Sequence, residues 1–210
     1  MRSMEMPGTG STPRRAPERP GVNYLAHLYF SGADPEVQVG GLLGDFVKGP
    51  LSGQYPAGIE IGIRRHRRID VLCGELPAIR GLIVGVTPPW RRYAGIAVDV
   101  LFDHLLARQW VQFHHRPLAD VCGDFYRTLA QHRALLPERA RRFCDLAPAQ
   151  RWLERYEDAG HMGEVLERIG QRLRRPLSLA PLWEELQARP ARVEAAFQET
   201  MAACARLANA

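Results

Sequence analysis

The chain has 210 residues, of which 46% are hydrophobic, and this length allows one substantial hydrophobic core or at most two small domains. No apolar run approaches the roughly 18 residues of a membrane span, and the N-terminus lacks the apolar segment of a secretory signal peptide, so we expect a cytoplasmic protein. The formal net charge of +5 favours an acidic partner. Charge alone does not decide whether that partner is a nucleic acid, a phosphorylated small molecule or an acidic protein.

The sequence predicts a short leader followed by one helical domain. Residues 1–21 are rich in Pro, Gly, Ser and Arg and are predicted to be disordered. Residues 22–210 are predicted to form a single all-α domain, because helical periodicity is frequent and strand alternation is almost absent. The segment NYLAHLYF fits either a short strand or the start of a helix. Helices, separated by Pro or Gly, are predicted over about 35–47, 57–73, 89–113, 118–132, 137–143, 149–156, 160–173 and 179–206.

The segment VDVLFDHLLARQW, residues 98–110, places two acids and an imidazole inside a helix that its periodicity predicts to be buried. At about 100° per residue, the apolar side chains form one broad arc, and Asp99 and Asp103 fall at its margin, one turn apart. These two carboxylates either form ion pairs with buried arginines or share a divalent metal or a proton, because a buried carboxylate needs a cation or a shifted pKa. His104 points about 100° away from Asp103 and is either a ligand or a neighbour that orients one.

The segment GIEIGIRRHRRIDVLC, residues 58–73, repeats this pattern. If it is helical, His66, Asp70 and Cys73 share one stripe with two isoleucines, while the neighbouring arginines point to the other sides. A core histidine paired with an aspartate, beside a solvated arginine face, is the simpler interpretation of this helix alone. We favour a functional site because two separate helices each present an inward acid or imidazole at i, i+4 spacing.

Two further polar residues precede these helices. His27 lies in the apolar segment NYLAHLYF, and Asp45 follows GGLLG, whose glycines allow backbones to approach closely. The combined set offers the nitrogen and oxygen ligands that suit Mn, Fe, Mg or Zn. Its members are His27, Asp45, His66, Asp70, Asp99, Asp103 and His104. The chain has no Gly-x-Ser-x-Gly elbow, and its four cysteines show no CxxC spacing, so we expect reduced, mostly structural thiols.

Four motifs in this order, NYLAHLYFSG, GGLLGDFVKG, IRRHRRIDVL and DVLFDHLLARQW, resemble the bacterial acyl carrier protein phosphodiesterases. The resemblance covers residues 23 to about 110 strongly and the C-terminal helices diffusely. It implies hydrolysis of the phosphodiester between phosphopantetheine and a serine of holo acyl carrier protein, an activity of lipid metabolism. It also implies similarity to the all-helical HD phosphohydrolases, whose His-Asp doublet is reversed here as Asp103-His104.

The resemblance implies a set of roles for the polar residues. We expect a divalent metal, Mn²⁺ first and Mg²⁺, Fe²⁺ or Co²⁺ as alternatives, and an acidic acyl carrier protein as substrate. The expected metal ligands are His27, Asp45, His66, Asp103 and His104, and the expected catalytic acids are Asp45, Asp70 and Asp99. Arg64, Arg65, Arg67 and Arg68 are expected to neutralise the phosphate and to bind the carrier.

Two alternatives stay open on the sequence. The same metal site would serve a phosphohydrolase of a small nucleotide. A non-catalytic helical module would instead use the arginine face to bind an acidic protein or RNA, with nucleic acid the less favoured partner.

The C-terminal helices carry an apolar stripe, which either packs over the rest of the domain or forms the interface of a dimer, so the sequence leaves the oligomeric state open. The stripe consists of Leu182, Leu186, Val193, Phe197 and Met201.

Overall fold

The computed structural model describes residues 23–209, so the leader predicted over residues 1–21 lies outside the described part. Residues 23–209 form eleven α-helices and three short 3-10 helices with no strand, which confirms the predicted all-α class. The α-helices are α1 (Tyr24–Ser31), α2 (Pro35–Leu43), α3 (Ala57–Glu75), α4 (Pro77–Val84), α5 (Ala94–Arg108), α6 (Trp110–Phe113), α7 (Leu118–Gln131), α8 (Glu138–Gln150), α9 (Ala159–Gln171), α10 (Ala180–Gln187) and α11 (Pro190–Ala208). The 3-10 helices are Trp90–Tyr93, Arg133–Leu135 and Glu154–Glu157.

Helix α5 is the central helix of the fold. It contacts α1, α4, α9 and α10, and buried residues occur on every side of it. A helix enclosed in this way keeps only a narrow solvated edge, where Asp99 is half-buried and Arg108 is exposed. Asp103, which the helical wheel places at the margin of a buried arc, is therefore 0% exposed.

Helices α2 and α3 pack against each other through glycines. A Cβ atom at Gly40 would lie 2.1 Å from the carbonyl oxygen of Ile59, and one at Gly62 would lie 2.2 Å from the carbonyl oxygen of Val37. The two backbones therefore touch, and only glycine leaves room for this approach. The contact brings the end of α2, and Asp45 just after it, next to α3.

The segment NYLAHLYF, which fits either a short strand or the start of a helix, forms α1. The first half of the chain differs from the sequence prediction in two places. Helix α4 was not predicted, because its eight residues between Leu76 and Gly85 are too few to show a helical period. The helix predicted over 89–113 is interrupted at Gln109, which separates α5 from α6.

The second half differs at two predicted helices. The segment 149–156 is the end of α8 followed by a 3-10 turn rather than a helix of its own. The segment 179–206 is two helices, α10 and α11, because Pro190 begins α11 and disfavours the helical conformation at Arg189, whose φ is −121° and ψ is 50°.

The apolar stripe of the C-terminal helices is covered within the chain. Buried apolar side chains form one continuous cluster from Leu25 in α1 to Cys204 in α11. The ring of Phe197 packs edge-on against Phe102 and Phe113, with centroid distances of 5.5 and 5.7 Å. Packing over the rest of the domain therefore accounts for the stripe.

Across residues 23–209, no helix combines the length and the apolar character needed to cross a bilayer.

Replacing Gly40 by Ala is expected to lower the free energy of unfolding by roughly 1–3 kcal/mol, because the added methyl group overlaps backbone atoms of α3. The matched control is Gly81→Ala on α4, where no atom lies within 4 Å of the added Cβ. That variant should gain about 0.5–1 kcal/mol from helix propensity. Urea unfolding measures both, and equal stabilities of the two variants would contradict the backbone contact.

Candidate metal centre

Four polar side chains from α1, α3 and the segment after α2 meet at one point, which we call the His-Asp site: His27, Asp45, His66 and Asp70. His27 lies on α1, Asp45 follows α2, and His66 and Asp70 lie one turn apart on α3. The Nε2 atom of His27 is 3.2 Å from Oδ1 of Asp70. The Nε2 atom of His66 is 3.3 Å from Oδ2 of Asp70 and 3.7 Å from Oδ1 of Asp45. The two imidazole rings stack with their centroids 3.6 Å apart.

The His-Asp site is closed on one side and open on the other. The side chains of His27 and His66 are each 2% exposed, and that of Asp45 is 12% exposed. The side chain of Asp70 is 47% exposed. The imidazoles therefore form the floor of the site, and solvent reaches it beside Asp70.

Two glycines of the GGLLG segment set the orientation of His66. Its Nδ1 atom lies 2.7 Å from the carbonyl oxygen of Gly41, and since a carbonyl only accepts, Nδ1 donates. The Nε2 atom of a neutral ring is then unprotonated and faces the two carboxylates. A Cβ atom at Gly44 would lie 2.2 Å from the ring, so the imidazole occupies space that any other residue there would fill.

Helix α1, which carries His27, is held at both ends. The carboxylate of Asp103 on α5 accepts hydrogen bonds from the backbone N–H groups of Leu25 at 2.9 Å and Ala26 at 2.8 Å. These amides belong to the first turn of α1, where helical partners are missing, and Asn23 makes no side-chain cap there. The guanidinium of Arg65 on α3 donates to the last carbonyl oxygens of α1, those of residues 30 and 31, each at 3.1 Å.

Three buried polar atoms of the His-Asp site make no hydrogen bond with any residue in the described part: both ring nitrogens of His27, and Oδ2 of Asp45. His27 Nε2 is close enough to Asp70 for an ion pair, but the two groups are not aligned as a hydrogen bond. An unpaired buried polar group costs roughly 1–3 kcal/mol. Within residues 23–209 the only other such atom is Nδ1 of His161, so unpaired groups concentrate where a ligand would pair them.

Burial and the neighbouring charges shift the pKa values of all four side chains of the His-Asp site. Burial and the neighbouring His66 lower the pKa of His27 to about 4, so His27 is neutral at pH 7. Burial raises the pKa of Asp45. Burial also acts to raise the pKa of Asp70, but the ring nitrogens of His27 and His66 outweigh it and hold that pKa well below its usual range. Burial acts to lower the pKa of His66, and Asp70 and Asp45 outweigh it and raise that pKa.

The donor atoms of His27, His66 and Asp70 fit a single metal ion. They all lie within 4.8 Å of one another. Two ligands that are each about 2.1 Å from one ion lie roughly 3.0–3.4 Å apart. The observed separations of 3.2 and 3.3 Å match that spacing. Imidazole nitrogens with carboxylate oxygens form a set that Mn, Fe, Co and Zn accept.

The structure does not bring the other predicted site residues into this group of donors. Both carboxylate oxygens of Asp103 are used by α1, as described above, and burial raises its pKa. His104 Nδ1 lies 2.7 Å from the carbonyl oxygen of Tyr156, and its ring packs edge-on against Trp183. Asp99 is half-buried on α5, close enough to Asp103 and Cys73 to raise the pKa of both.

The four predicted phosphate-binding arginines of α3 divide into two pairs. Arg65 holds α1, and Arg67 donates to the carbonyl oxygens of Val47 and Gly49, each at 2.8 Å, which fixes the segment after Asp45. Arg64 is exposed and pairs with Glu60 one turn earlier.

Arg68 is exposed and makes no ion pair with the residues that the structure describes. Arg64 and Arg68 are thus the two of the four whose guanidinium groups face solvent.

Comparisons with known proteins agree on one family. The family model described as acyl carrier protein phosphodiesterase matches residues 22–204. Curated proteins of that name are similar to the chain. The protein from Serratia proteamaculans is 34% identical over 84% of this chain and 92% of its own length. The one from Klebsiella pneumoniae is 33% identical over 90% and 98%, and the one from Salmonella agona is 36% identical over 80% and 87%. No solved structure shows a significant match, so the similarity to HD phosphohydrolases stays a prediction.

Replacing Asp103 by Asn tests its contact with α1. One backbone N–H would then face an amide donor instead of a carboxylate, so we expect the free energy of unfolding to fall by roughly 1.5–3 kcal/mol. The control is Asp120→Asn, an exposed residue in the first turn of α7, with an expected change within about 0.5 kcal/mol. Titrated with Mn²⁺ below its unfolding temperature, the Asp103 variant should behave as the parent chain does. A variant as stable as the parent that has lost Mn²⁺ binding would make Asp103 a ligand after all.

Proposed function

The chain belongs to the acyl carrier protein phosphodiesterase family, and on that basis we propose that it hydrolyses the phosphodiester between phosphopantetheine and a serine of holo acyl carrier protein. The products would be apo acyl carrier protein and phosphopantetheine. The observation that carries this proposal is the His-Asp site, where buried unpaired nitrogens and an ionised carboxylate meet beside an opening to solvent. The cytoplasmic location expected from the sequence stays a prediction.

We propose that His27, His66 and Asp70 hold a divalent metal, with Mn²⁺ as the first choice and Mg²⁺, Fe²⁺ and Co²⁺ as alternatives to be assayed. A divalent cation supplies Lewis-acid polarisation of the phosphoryl oxygens and a nucleophile at neutral pH, which an unreactive phosphodiester requires. In this assignment Asp70 is a ligand rather than a base. Asp103 is the anchor of α1 rather than a ligand.

Asp45 is the residue we propose as the proton acceptor. One of its oxygens lies 3.7 Å from Nε2 of His66, and the other is buried without a hydrogen bond. An oxygen with no other partner is placed to take the proton of an attacking water. Asp99 stays a second candidate for this role, and we propose that His104, packed between Tyr156 and Trp183, is structural.

We propose that Arg64 and Arg68 receive the acidic carrier protein. Both are exposed on α3, and their i, i+4 spacing places them on one face of that helix. Arg65 and Arg67 instead donate hydrogen bonds to backbone carbonyl groups and so support the structure around the site. Opposite charge on the partner would steer the encounter and raise the association rate.

The test of the proposed reaction is release of phosphopantetheine from purified holo acyl carrier protein with Mn²⁺ added. His66→Ala should lower the rate at least about 100-fold, because it removes a ligand worth several kcal/mol in the transition state. The control is His115→Ala, an exposed histidine outside the site. A chelator should abolish release, and added Mn²⁺ should restore it.

Release that survives both the chelator and His66→Ala would refute the metal site. A folded enzyme that leaves the carrier intact but hydrolyses a nucleotide in a parallel panel would refute the substrate.

Reversing the charge of Arg68 should raise the KM for holo acyl carrier protein at least about fivefold and leave kcat within about twofold, since it weakens the encounter rather than the chemistry. The control Arg174→Glu makes the same charge change at an exposed position before α10. Steady-state kinetics at low and high salt provide the measurement, and the difference between the two variants should shrink at high salt. Equal KM values for both variants at low salt would remove Arg68 from the docking surface.

A further inference from the structure

Two of the four cysteines face each other between α3 and α11. The sulfur atoms of Cys73 and Cys204 lie 3.7 Å apart, although the residues are 131 positions apart in the chain. Cys204 is fully buried, whereas Cys73 is half-buried, so one member of the pair is within reach of solvent. Cys122 and Cys144 lie on α7 and α8 and are both buried.

We propose that Cys73 and Cys204 form a reversible disulfide that controls the metal site. A disulfide needs the sulfurs to approach to about 2.05 Å. Helices α3 and α11 already pack against each other, and the sulfurs already touch. Rotation of the two side chains, together with a small shift of the helix ends, would bring the two sulfur atoms to bonding distance.

A hydroperoxide is the oxidant that fits this pair. The contact with Cys204 and burial raise the pKa of the more accessible Cys73, so its thiol loses its proton only as the sulfur attacks hydrogen peroxide. An S–O bond forms, the O–O bond breaks, and one water leaves with a sulfenic acid on Cys73. The Cys204 thiol then displaces the hydroxyl group, forming the S–S bond and releasing a second water. Two thiols lose two electrons and two protons, and one peroxide becomes two waters. A dithiol reductant reverses the bond by exchange.

The link would act on the metal site through α3. Cys73 lies three residues after Asp70, on the next turn of the same helix and beside Asp99. Metal sites depend on ligand distances held within about 0.2 Å. Pulling the end of α3 toward α11 displaces Asp70 from His27 and His66, so we expect oxidation to weaken Mn²⁺ binding at least about tenfold. This consequence rests on the proposed metal site, whereas formation of the disulfide does not.

The experiment treats the full chain with hydrogen peroxide and follows intact mass, free thiols and peptide linkage. The expected product is a monomer lighter by two hydrogen atoms, with free thiols reduced from four to two and the peptides of Cys73 and Cys204 joined. Mn²⁺ binding, measured by electron paramagnetic resonance, should weaken on oxidation and recover with dithiothreitol. Cys73→Ser should abolish both the link and the change in affinity, while the control Cys144→Ala should retain both.

Several results would overturn the proposal. A link through Cys122 or Cys144, a covalent dimer, or peroxide consumption without any link would exclude the disulfide. A Cys73-Cys204 link that leaves Mn²⁺ affinity unchanged would exclude the control of the metal site. If the reduced chain binds no Mn²⁺, the proposed function fails at its metal site, and the mass and thiol count still decide whether the disulfide forms.

Discussion

The backbone contact between α2 and α3 is the constraint on which the His-Asp site depends. Glycines at positions 40 and 62 let the two helices touch, and the same close approach sets the Gly41 carbonyl against Nδ1 of His66. Gly44 then leaves the space that the imidazole fills. These contacts are made by backbone atoms, and they fix the ring of His66 with Nε2 toward Asp70 and Asp45.

The position of His27 depends on a second set of contacts, at the two ends of α1. Asp103 binds its first amides and Arg65 binds its last carbonyl groups, so an eight-residue helix too short to be stable alone is held by its neighbours. An acid in the centre of the fold and an arginine beside the site thus orient the ring, which explains why charges occur in segments otherwise buried. The unpaired Nε2 of that ring lies 3.2 Å from the carboxylate of Asp70, which the two histidines keep ionised.

The sequence predicts this site well where its geometry is local. His66 and Asp70 share a face because they are four residues apart on a long periodic helix, and α10 and α11 separate where Pro190 signals a break. The sequence does not predict partners that are backbone atoms on another helix. The i, i+4 spacing of Asp99 and Asp103 suggests a shared ion. The actual partners of Asp103 are backbone N–H groups, which every residue except proline has, so no residue type in the sequence marks them. The pairing of Cys73 with Cys204 is equally hidden, because it depends on how α11 packs.

The central claim is that one metal ion is held by His27, His66 and Asp70. An anomalous-scattering map from a crystal grown with Mn²⁺ tests it most directly, since the manganese signal locates the ion independently of the protein atoms. The account predicts one peak within bonding distance of Nε2 of His27, Nε2 of His66 and an oxygen of Asp70. A peak beside Asp103 and His104 instead, or no peak in a crystal with the three side chains well ordered, would contradict it.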